Sequence, residues 1–361
     1  MRITLYSCVS TFIWTSFFIL LLYILRVRLK LTEICSIEST ILIYIFCVVR
    51  LLFIVEFPWT KNYECGYLFN PLYTFLRSNV VNNSGIRLKT YELFLIIWLS
   101  GIAAGLTFVI TKYLTFAKYM KKMVFVRCED DYRMFERISD RKDITINECK
   151  GISSSFCYGI LHKNIVLPQR ERTDEERFFI IRHEYAHIQN DDLIVKLMLN
   201  IFCAMFWWDP FVYLLIRRMN QSFEIRCDHR VIEGISDDQR VAYLETILSE
   251  YNRGGSTGKC TISEFSPKRQ TDMEERFIEV SRYRKGQTGK KKFLIVMLAV
   301  IIMVISYSFV FMPEYEAPVG NNMEFINEDV HVYEENGKYY FNYNNDKREI
   351  SRDMYEKLKN K

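Results

Sequence analysis

The sequence predicts an α-helical membrane protein with four transmembrane helices and a cytoplasmic α+β domain. Half of the 361 residues are hydrophobic, with plentiful Phe and Tyr, which favours a membrane protein over two soluble domains. Four apolar stretches are long enough to cross a hydrocarbon core, which takes roughly 20 helical residues. A long polar segment lies between the third and the fourth stretch.

The four predicted transmembrane helices set the domain boundaries. They comprise residues 3–25, 40–57, 93–116 and 293–312. The first and the last carry no charged residue, whereas Arg50 and Glu56 interrupt the second and Lys112 lies near the end of the third. The first is too long for the core of a signal peptide and has no small-residue cleavage site, so we expect the protein to retain it. The predicted domains are a membrane domain over 1–117, a cytoplasmic domain over 118–292, the fourth helix over 293–312 and a short outer tail over 313–361.

Basic residues beside the predicted helices indicate the orientation, because Lys and Arg are retained on the cytoplasmic side. Three clusters agree: Arg26, Arg28 and Lys30 after the first helix, Lys118, Lys121 and Lys122 after the third, and Lys290, Lys291 and Lys292 before the fourth. This pattern places both termini and the loop 58–92 outside, and residues 118–292 in the cytoplasm. The clusters also explain most of the net charge of +5, so we predict no direct nucleic acid binding.

The ten cysteines are scattered without a C-x-x-C pair. Several lie in the predicted helices or in the cytoplasmic domain, and the outer loop contains only Cys65. Neither a disulfide framework nor a cysteine zinc site is therefore predicted.

The cytoplasmic domain is predicted to begin with a helix over the mixed-charge residues 118–143. Between Ile144 and Pro168, apolar and polar residues alternate and glycines interrupt them, which is typical of two or three short strands that end at Pro168. A new helix begins at Thr173, because Thr173 and Glu176 have the spacing of a capping box and acidic residues follow the cap.

Residues 193–218 are apolar again, but Lys196, Asp209 and Pro210 divide them into pieces too short to span a membrane comfortably. We expect a buried or interfacial helical hairpin there. A helix over 222–233, a helix around 241–252 and a flexible linker over 253–260 are predicted to follow. The outer tail is acidic and rich in tyrosine, which is compatible with a small hairpin around Asn336 and Gly337 or with disorder.

The segment RHEYAHIQNDD, residues 182–192, contains two of the five histidines. Residues four apart on a helix project from the same face, so His183 and His187 can bind one metal ion together. Glu184 is placed to reach a water molecule on that metal. This H-E-x-x-H pattern is typical of a hydrolytic zinc site, in which zinc acidifies the water and the carboxylate takes its proton.

A hydrolytic zinc site usually has three protein ligands and one open position. The candidate for the third ligand is Glu224, on a helix that a hairpin turn can bring back beside the first. Asp228 lies one helical turn further along the same face and is placed to accept the outer ring N–H of a ligand histidine. Asp192, just after the motif helix, is a second candidate for such support.

These motifs resemble those of the integral membrane metallopeptidases of the BlaR/MecR antirepressor type. The resemblance rests on four segments in matching order: HEYAHIQNDDLI, FCYGILHKNIVLP, WWDPFVYLLIRRM and EIRCDHRVI. It covers roughly residues 1–312 and is strongest over 156–233. It implies a multi-pass protein of the bacterial cell membrane with a zincin-like (HExxH) metallopeptidase domain.

The resemblance also implies roles for individual residues. His183, His187 and Glu224 would bind zinc, and Glu184 would be the catalytic base. The strand before Pro168 would be an edge on which the substrate lies extended. In the best-known members, an outer sensor domain detects a β-lactam, the zinc domain cuts within its own cytoplasmic loop, and a cytosolic DNA-binding repressor is inactivated.

The chain departs from those members in its outer tail. Residues 313–361 are too few for a penicillin-binding domain and contain no S-x-x-K motif. We therefore expect no β-lactam sensing through such a domain, and cleavage of a repressor becomes an analogy. Smaller departures are Asp209, where the family favours Asn, and Arg226, where a small residue is usual.

The sequence thus predicts a membrane-anchored zinc endopeptidase with a cytoplasmic active site and a regulatory role, which cleaves itself, a cytosolic repressor protein or both. One alternative is a non-proteolytic membrane sensor with a structural zinc site, although such a site has no need of Glu184. A second is a housekeeping membrane protease of the prenyl-endopeptidase type, which is expected to have more membrane helices. A third, an intramembrane protease, would carry its motif inside an apolar helix, whereas charged segments flank this one. A homodimer is left open.

The remaining histidines have weaker cases for a role at the site. His162 and His331 lack metal partners at helical spacing and are expected to be polar surface or strand residues. His229 is expected to point elsewhere, although a role in stabilising a tetrahedral oxyanion stays open.

Three further features bear on the membrane part. Arg50 inside a predicted membrane helix suggests a function, with snorkelling or helix pairing as an equal alternative. Gly101 and Gly105 form a G-x-x-x-G pattern, which predicts close helix packing without requiring a dimer. The basic run SRYRKG, residues 281–286, is a candidate for self-cleavage.

Overall fold

The computed structural model describes residues 5–28, 35–83, 86–254, 270–283, 289–312, 330–335, 337–343, 346–352 and 354–355. Its helices are α1 (Leu5–Arg28), α2 (Ile37–Leu52), α3 (Gly66–Arg77), α4 (Thr90–Lys122), α5 (Glu129–Glu136), α6 (Asp174–Gln189), α7 (Asp192–Met205), α8 (Pro210–Ile232), α9 (Asp237–Gly254), α10 (Gln270–Arg282) and α11 (Gly289–Ser308). Its strands are β1 (Lys61–Glu64), β2 (Asn79–Asn83), β3 (Ile86–Lys89), β4 (Phe125–Val126), β5 (Ile144–Cys149), β6 (Phe156–Tyr158), β7 (Lys163–Pro168), β8 (Phe309–Met312), β9 (Val330–Glu335), β10 (Lys338–Tyr343) and β11 (Asp346–Ile350). The predicted linker and the basic run 281–286 lie partly outside the described residues.

Two helices in the described part of the chain are long and apolar enough to cross a membrane. They are Tyr6–Arg28, within α1, and Thr90–Lys122, which is α4; Val296–Ser308, within α11, is a shorter apolar helix. Two of the four predicted transmembrane helices therefore meet this criterion. α4 begins earlier than predicted because the Glu92 carboxylate accepts a hydrogen bond from the backbone N–H of Lys89 at 2.9 Å and caps the helix.

The other two predicted membrane helices end before their predicted limits. α2 stops at Leu52, and the Phe53 carbonyl accepts a hydrogen bond from the Tyr307 hydroxyl at 3.0 Å. α11 stops at Ser308, because the next four residues form β8, which pairs in parallel with β1. Hydrogen bonds to neighbouring segments thus replace further helical turns at these two ends.

Arg50 joins three of these helices at a buried point. Its guanidinium donates to Thr11 Oγ1 of α1 at 2.6 Å and to Ser306 Oγ of α11 at 2.9 Å. It also lies 4.0 Å from the ring centroid of Tyr307. Because a charged group in an apolar bundle needs such partners, these contacts favour helix pairing as the role of Arg50.

A four-stranded sheet lies before the motif helix, in the order β4-β5-β7-β6. β5 and β7 are parallel, and β6 is antiparallel to β7. The prediction of short strands ending at Pro168 is confirmed. Two expectations are wrong. A continuous helix over 118–143 is replaced by the end of α4, β4 and α5, and the strand before Pro168 is internal, so that β6 forms the sheet edge on this side.

The motif helix α6 begins with the predicted cap and packs on the sheet. Thr173 Oγ1 accepts from the backbone N–H of Glu176, and the Glu176 carboxylate accepts from the N–H of Thr173, both at 3.1 Å. Residues of α6 share a buried core with β5 and β7 that includes Ile146, Ile165 and Ile181. One face of α6 therefore packs against the sheet, and the cap determines the residue at which α6 begins.

The predicted helical hairpin is formed by α7 and α8. Asp209 caps α8 by accepting from the backbone N–H of Phe211 at 2.8 Å, and Pro210 occupies the first turn. The hairpin shares a core with α1, α2 and α11 that includes Ile19, Phe202 and Val212. The inner side of the predicted hairpin is thus buried among the apolar helices, while Met198 and Trp208 are exposed.

The G-x-x-x-G face of α4 packs against this hairpin within the same chain. A Cβ atom on Gly101 would overlap the Trp207 indole, and one on Gly105 would lie 2.9 Å from the Ala204 Cβ. The Trp98 indole also donates to the Met205 carbonyl at 3.0 Å. The predicted close packing is confirmed, and its partner is α7.

The smaller unit, Glu314–Lys361, contains a three-stranded antiparallel sheet in the order β11-β10-β9. Glu335 pairs with Lys338 across the turn, and Gly337 has φ of 75°. Within the described residues of the tail, β9 and β10 form the predicted hairpin.

Candidate metal centre

α6 presents both motif histidines to one cavity of about 760 Å³. The ring centroids of His183 and His187 are 5.0 Å apart and the rings are nearly perpendicular. Their positions four residues apart bring them onto one helix face, as the spacing predicts.

Glu224 of α8 reaches the same point. His183 Nε2 lies 3.5 Å from Glu224 Oε2, and His187 Nε2 lies 3.5 Å from Glu224 Oε1. In a tetrahedral zinc site with bonds of about 2.0–2.1 Å, two ligand atoms are about 3.3–3.4 Å apart. These two separations are close to that value, and the donor types fit zinc.

The outer ring nitrogens of the two histidines are held by carboxylates. His187 Nδ1 lies 2.7 Å from Asp192 Oδ2. His183 Nδ1 lies 3.2 Å from Asp228 Oδ1 and 3.0 Å from the Tyr243 hydroxyl. Such partners fix each imidazole with its Nε2 atom free to bind metal.

Burial and charge shift the pKa values of the three candidate ligands in opposite senses. Burial lowers the pKa of both histidines, but Asp228 and Glu224 outweigh it and raise the pKa of His183. At His187, Cys227, Glu224 and Asp192 outweigh burial and raise the pKa well above its usual value. Burial raises the pKa of Glu224, but His187, Lys196 and His183 lower it well below its usual value. Protons therefore compete for the nitrogen atoms that a metal ion needs.

Asp228 is clamped from two other helices. Arg276 of α10 donates to it through two nitrogens, at 2.7 and 2.6 Å, and the Tyr243 hydroxyl of α9 donates at 2.7 Å. Burial raises the pKa of Asp228, but Arg276 and His183 outweigh it and lower the pKa far below the usual range. Asp228 is thus a buried, charged acceptor for His183.

Asp192 has a second partner, Arg226, whose guanidinium pairs with Asp192 Oδ1. Arg226 is one of the two departures from the family pattern. It touches no candidate ligand, but it supports the carboxylate that holds His187. The other departure, Asp209, caps α8 and lies away from the site.

Glu184 lines the cavity and is 8 % exposed. Cys157 of β6 lies near Glu184 and His187, and burial raises the pKa of its thiol to about 12. The edge strand β6 therefore runs beside the general-base candidate.

The cavity extends from the ligands to the end of α4. Its apolar wall includes Phe116 and Met120 of α4 with Phe156 and Tyr158 of β6. The ring centroid of Phe116 lies 6.1 Å from that of Phe156 and 6.0 Å from that of Tyr158. A substrate beside β6 would therefore also touch the long apolar helix.

The other histidines stand apart from the ligands. His162 lines the cavity but belongs to no cluster that could hold a metal among the described residues. His229 is outside the cavity lining; its Nε2 lies 3.8 Å from Glu279 Oε2 and its ring packs 4.5 Å from Tyr283. His331 lies in β9 of the smaller unit.

Two further groups of potential metal ligands are engaged in contacts of a different kind. In the first group, Asp192 Oδ2 and Cys227 Sγ both contact His187 Nδ1, the ring nitrogen that faces away from Glu224. Cys128, Asp131 and Glu148 lie together, but Arg177 pairs with Asp131 and Arg172 pairs with Glu148 at 3.1 Å. Guanidinium groups thus neutralise the acidic pair, which indicates an ion-pair cluster.

Sequence reasoning missed three residues of the site: Lys196, Tyr243 and Arg276. Lys196 was apparent only as an interruption of an apolar segment. Tyr243 and Arg276 lie on helices without a motif, and no local pattern links them to Asp228. Their positions depend on the packing of α9 and α10 against α6 and α8.

The chain is similar to proteins that are named as regulatory or methicillin resistance proteins. The chain is 31 % identical over 111 residues to the methicillin resistance mecR1 protein of Staphylococcus aureus, covering 30 % of this chain and 19 % of that protein. It is 23 % identical over 244 residues to the regulatory protein BlaR1 of Staphylococcus aureus, covering 64 % of this chain and 42 % of that protein. It is 23 % identical over 161 residues to the BlaR1 of Bacillus licheniformis, covering 43 % and 27 %.

Each alignment spans less than half the length of the relative that it matches. The model of the BlaR1 peptidase M56 family matches residues 13–280, which include α6, α8 and most of α10. The family resemblance predicted from the motifs is confirmed. The chain belongs to the BlaR1 peptidase M56 family.

Proposed function

We propose that this protein is a membrane-anchored zinc endopeptidase with a cytoplasmic active site, and that it acts as a regulatory signal transducer. The observation that carries the proposal is the convergence of His183, His187 and Glu224, whose potential ligand atoms lie within 4.8 Å of one another. Glu184, which follows His183 in the chain and lines the same cavity, would be the general base. Membership of a peptidase family supports the same function.

Different residues of the site would have different roles in hydrolysis. A bound zinc ion would polarise the scissile carbonyl and lower the pKa of water. Glu184 would take a proton from the attacking water and pass it to the amide nitrogen as the C–N bond breaks. Asp228 and Asp192 would keep the two imidazoles oriented.

The membrane context rests on composition and packing. α1 and α4 have the length and apolarity of membrane helices, and basic residues lie in the last turn of both. We propose that the protein crosses the bacterial cell membrane several times, with both termini outside and the zinc domain in the cytoplasm. The cavity would then lie at the cytoplasmic end of α4.

The substrate is proposed to be a protein segment. β6 is a sheet edge beside Glu184, and an exposed edge can accept an extended peptide by main-chain hydrogen bonds. By analogy with relatives named regulatory and methicillin resistance proteins, the substrate is the chain itself, a cytosolic DNA-binding repressor, or both. A link to antibiotic resistance belongs to the same analogy.

A single substitution tests the peptidase proposal. Glu184→Gln removes the base and keeps the shape, and Glu175→Gln, on the exposed side of the same helix, is the matched control. Intact mass of the purified chain and quantitative N-terminal proteomics of the cells report self-cleavage and cytosolic substrates. We expect cleavage products with the wild type and with Glu175→Gln, and none with Glu184→Gln.

Metal analysis separates the alternatives. Zinc measured by mass spectrometry should be present in the wild type and in Glu184→Gln and absent from Glu224→Ala. If Glu184→Gln leaves processing and signalling unchanged while zinc is bound, the site is structural and the sensor alternative holds. Cleavage confined to prenylated peptides would instead indicate the housekeeping alternative.

A further inference from the structure

Lys196 places a largely buried ammonium group in the cavity of the candidate metal centre. It lies on α7, four residues after Asp192, and its side chain is 15 % exposed. Its Nζ atom lies 3.4 Å from Glu224 Oε1. His183 and Glu184 line the same cavity.

The two arginines of the cavity wall are engaged by carboxylates. Arg276 makes its two-pronged pair with Asp228. Arg217 donates to both oxygens of Asp272, at 3.0 and 3.1 Å. Each guanidinium is therefore held by a carboxylate that is not a candidate ligand, although Arg276 Nη1 also lies 3.8 Å from Glu224 Oε2.

Lys196 is different from those arginines. Across the described ranges its hydrogen-bond partner is Glu224 Oε1, at a distance near the upper limit for such a bond. An ammonium group has three N–H donors, so Lys196 keeps donors for a group that enters the cavity. The Tyr243 hydroxyl, which lies 3.0 Å from His183 Nδ1, already donates to Asp228.

We propose that Lys196 is a catalytic residue, whose ammonium group donates a hydrogen bond to the carbonyl oxygen of the scissile peptide bond. This inference rests on the proposed hydrolytic function. His229, the histidine that the sequence left open for this role, lies against Glu279 and Tyr283 outside the cavity lining. The role of hydrogen-bond donor to the carbonyl oxygen therefore passes from His229 to Lys196 in this proposal.

The reaction balances without a change in Lys196. The water oxygen forms a bond to the carbonyl carbon, the electron pair of the C=O π bond moves to the oxygen, and Glu184 receives one water proton. Lys196 then faces a full negative charge on that oxygen and keeps its own protons. Glu184 transfers its proton to the amide nitrogen, the C–N bond breaks, and the products are a carboxylic acid group and an amine.

The test uses the full chain in detergent with cobalt in place of zinc, because cobalt absorption reports ligand geometry. The variant is Lys196→Met, and the matched control is Lys121→Met, an exposed lysine of the same cavity rim. The probes are N-phosphoryl-Leu-Trp, which presents a tetrahedral anion, and imidazole, which is neutral. Dissociation constants are measured by the change in cobalt absorption.

We expect Lys196→Met to raise the dissociation constant of the phosphoryl dipeptide by about 10- to 100-fold, the effect of losing one charged hydrogen bond. The cobalt spectrum, the cobalt content and the imidazole constant should equal those of the wild type. Lys121→Met should change none of these, and Lys196→Arg should recover part of the affinity.

Other results overturn the inference. An altered spectrum or a loss of cobalt in Lys196→Met would show that Lys196 positions Glu224 instead. An unchanged constant, or no binding of the dipeptide by cobalt-loaded wild type, would remove Lys196 from the reaction. Failure of the wild type to take up cobalt or zinc would refute the metal centre itself, and with it the proposed function.

Discussion

Arg26, near the end of α1, and Glu275, on α10, form a partly buried ion pair with Nη2 and Oε1 2.8 Å apart. The next residue on α10 is Arg276, which clamps Asp228 beside His183. Glu275 and Arg276 therefore link α1 to Asp228, the carboxylate that supports the candidate ligand His183. Arg26 also donates to Ser222 Oγ of α8 at 2.7 Å, two residues before Glu224.

Arg26→Met should destabilise the protein, because it leaves Glu275 partly buried without its main cation. Breaking a buried pair costs about 3–5 kcal/mol, and the 22 % exposure of the Glu275 side chain places this pair at or below the lower end. Thermal unfolding in detergent measures the effect. Arg127→Met, which breaks an exposed pair with Glu129, should cost less than about 1 kcal/mol. Equal losses in the two variants would contradict the structural role of Arg26.

Asp228→Asn should weaken zinc binding by about 10- to 100-fold, the usual effect of removing the carboxylate partner of a ligand histidine. The substitution also removes the charge that faces Arg276. Competition with a fluorescent chelator measures the constant. Asp237→Asn, at a side chain 94 % exposed on α9, is the control and should bind zinc as the wild type does. Tight binding by Asp228→Asn would mean that His183 needs no orienting partner.

Zinc should stabilise the protein more at pH 8 than at pH 6. The pKa values of His183 and His187 are raised in the fold. Protonation of the two histidines therefore stabilises the zinc-free fold, and this contribution is complete below the histidine pKa of the unfolded chain, about 6.5. That contribution is lost as pH rises through the raised values, while zinc binds the neutral imidazoles better. The difference in Tm with and without zinc, measured across this pH range, tests the sign. A difference that is constant or larger at pH 6 would rule out these histidines as ligands.

Gly101→Leu should separate α4 from α7. The new side chain would collide with the Trp207 indole, and overpacking of this kind costs about 1–3 kcal/mol. Ala104→Leu, at an exposed position of α4, should have little effect on thermal unfolding. Because α7 carries Asp192 and Lys196, the glycine variant should also weaken zinc binding. Unchanged zinc binding would show that the ligands tolerate a shift of α7.

Local patterns predicted part of this molecule well. The capping box fixed the start of α6, and the spacing of His183 and His187 fixed their common face, since both depend only on nearby residues. Glu224 could be named as a candidate ligand because the pattern around it resembles a family and because Pro210 marks the turn that returns α8 to α6.

Other features depend on contacts that no local pattern records. β6 is the edge because β7 inserts between it and β5, an order that alternation of apolar residues does not determine. α2 and α11 end early because Tyr307 and β1 supply hydrogen bonds from distant segments. Lys196 and Arg276 became recognisable only when α7 and α10 were placed beside Glu224 and Asp228.

The parallel ladder between β1 and β8, with Lys61 opposite Phe309 and Glu64 opposite Met312, brings together two points far apart in the chain. A backbone cut within 281–286 would leave one strand on each fragment, and Arg50 would still bind Ser306 across the break. The two fragments should therefore migrate together on a native gel and separate only after denaturation. Cleavage there would therefore remove the covalent link between the two fragments without separating them.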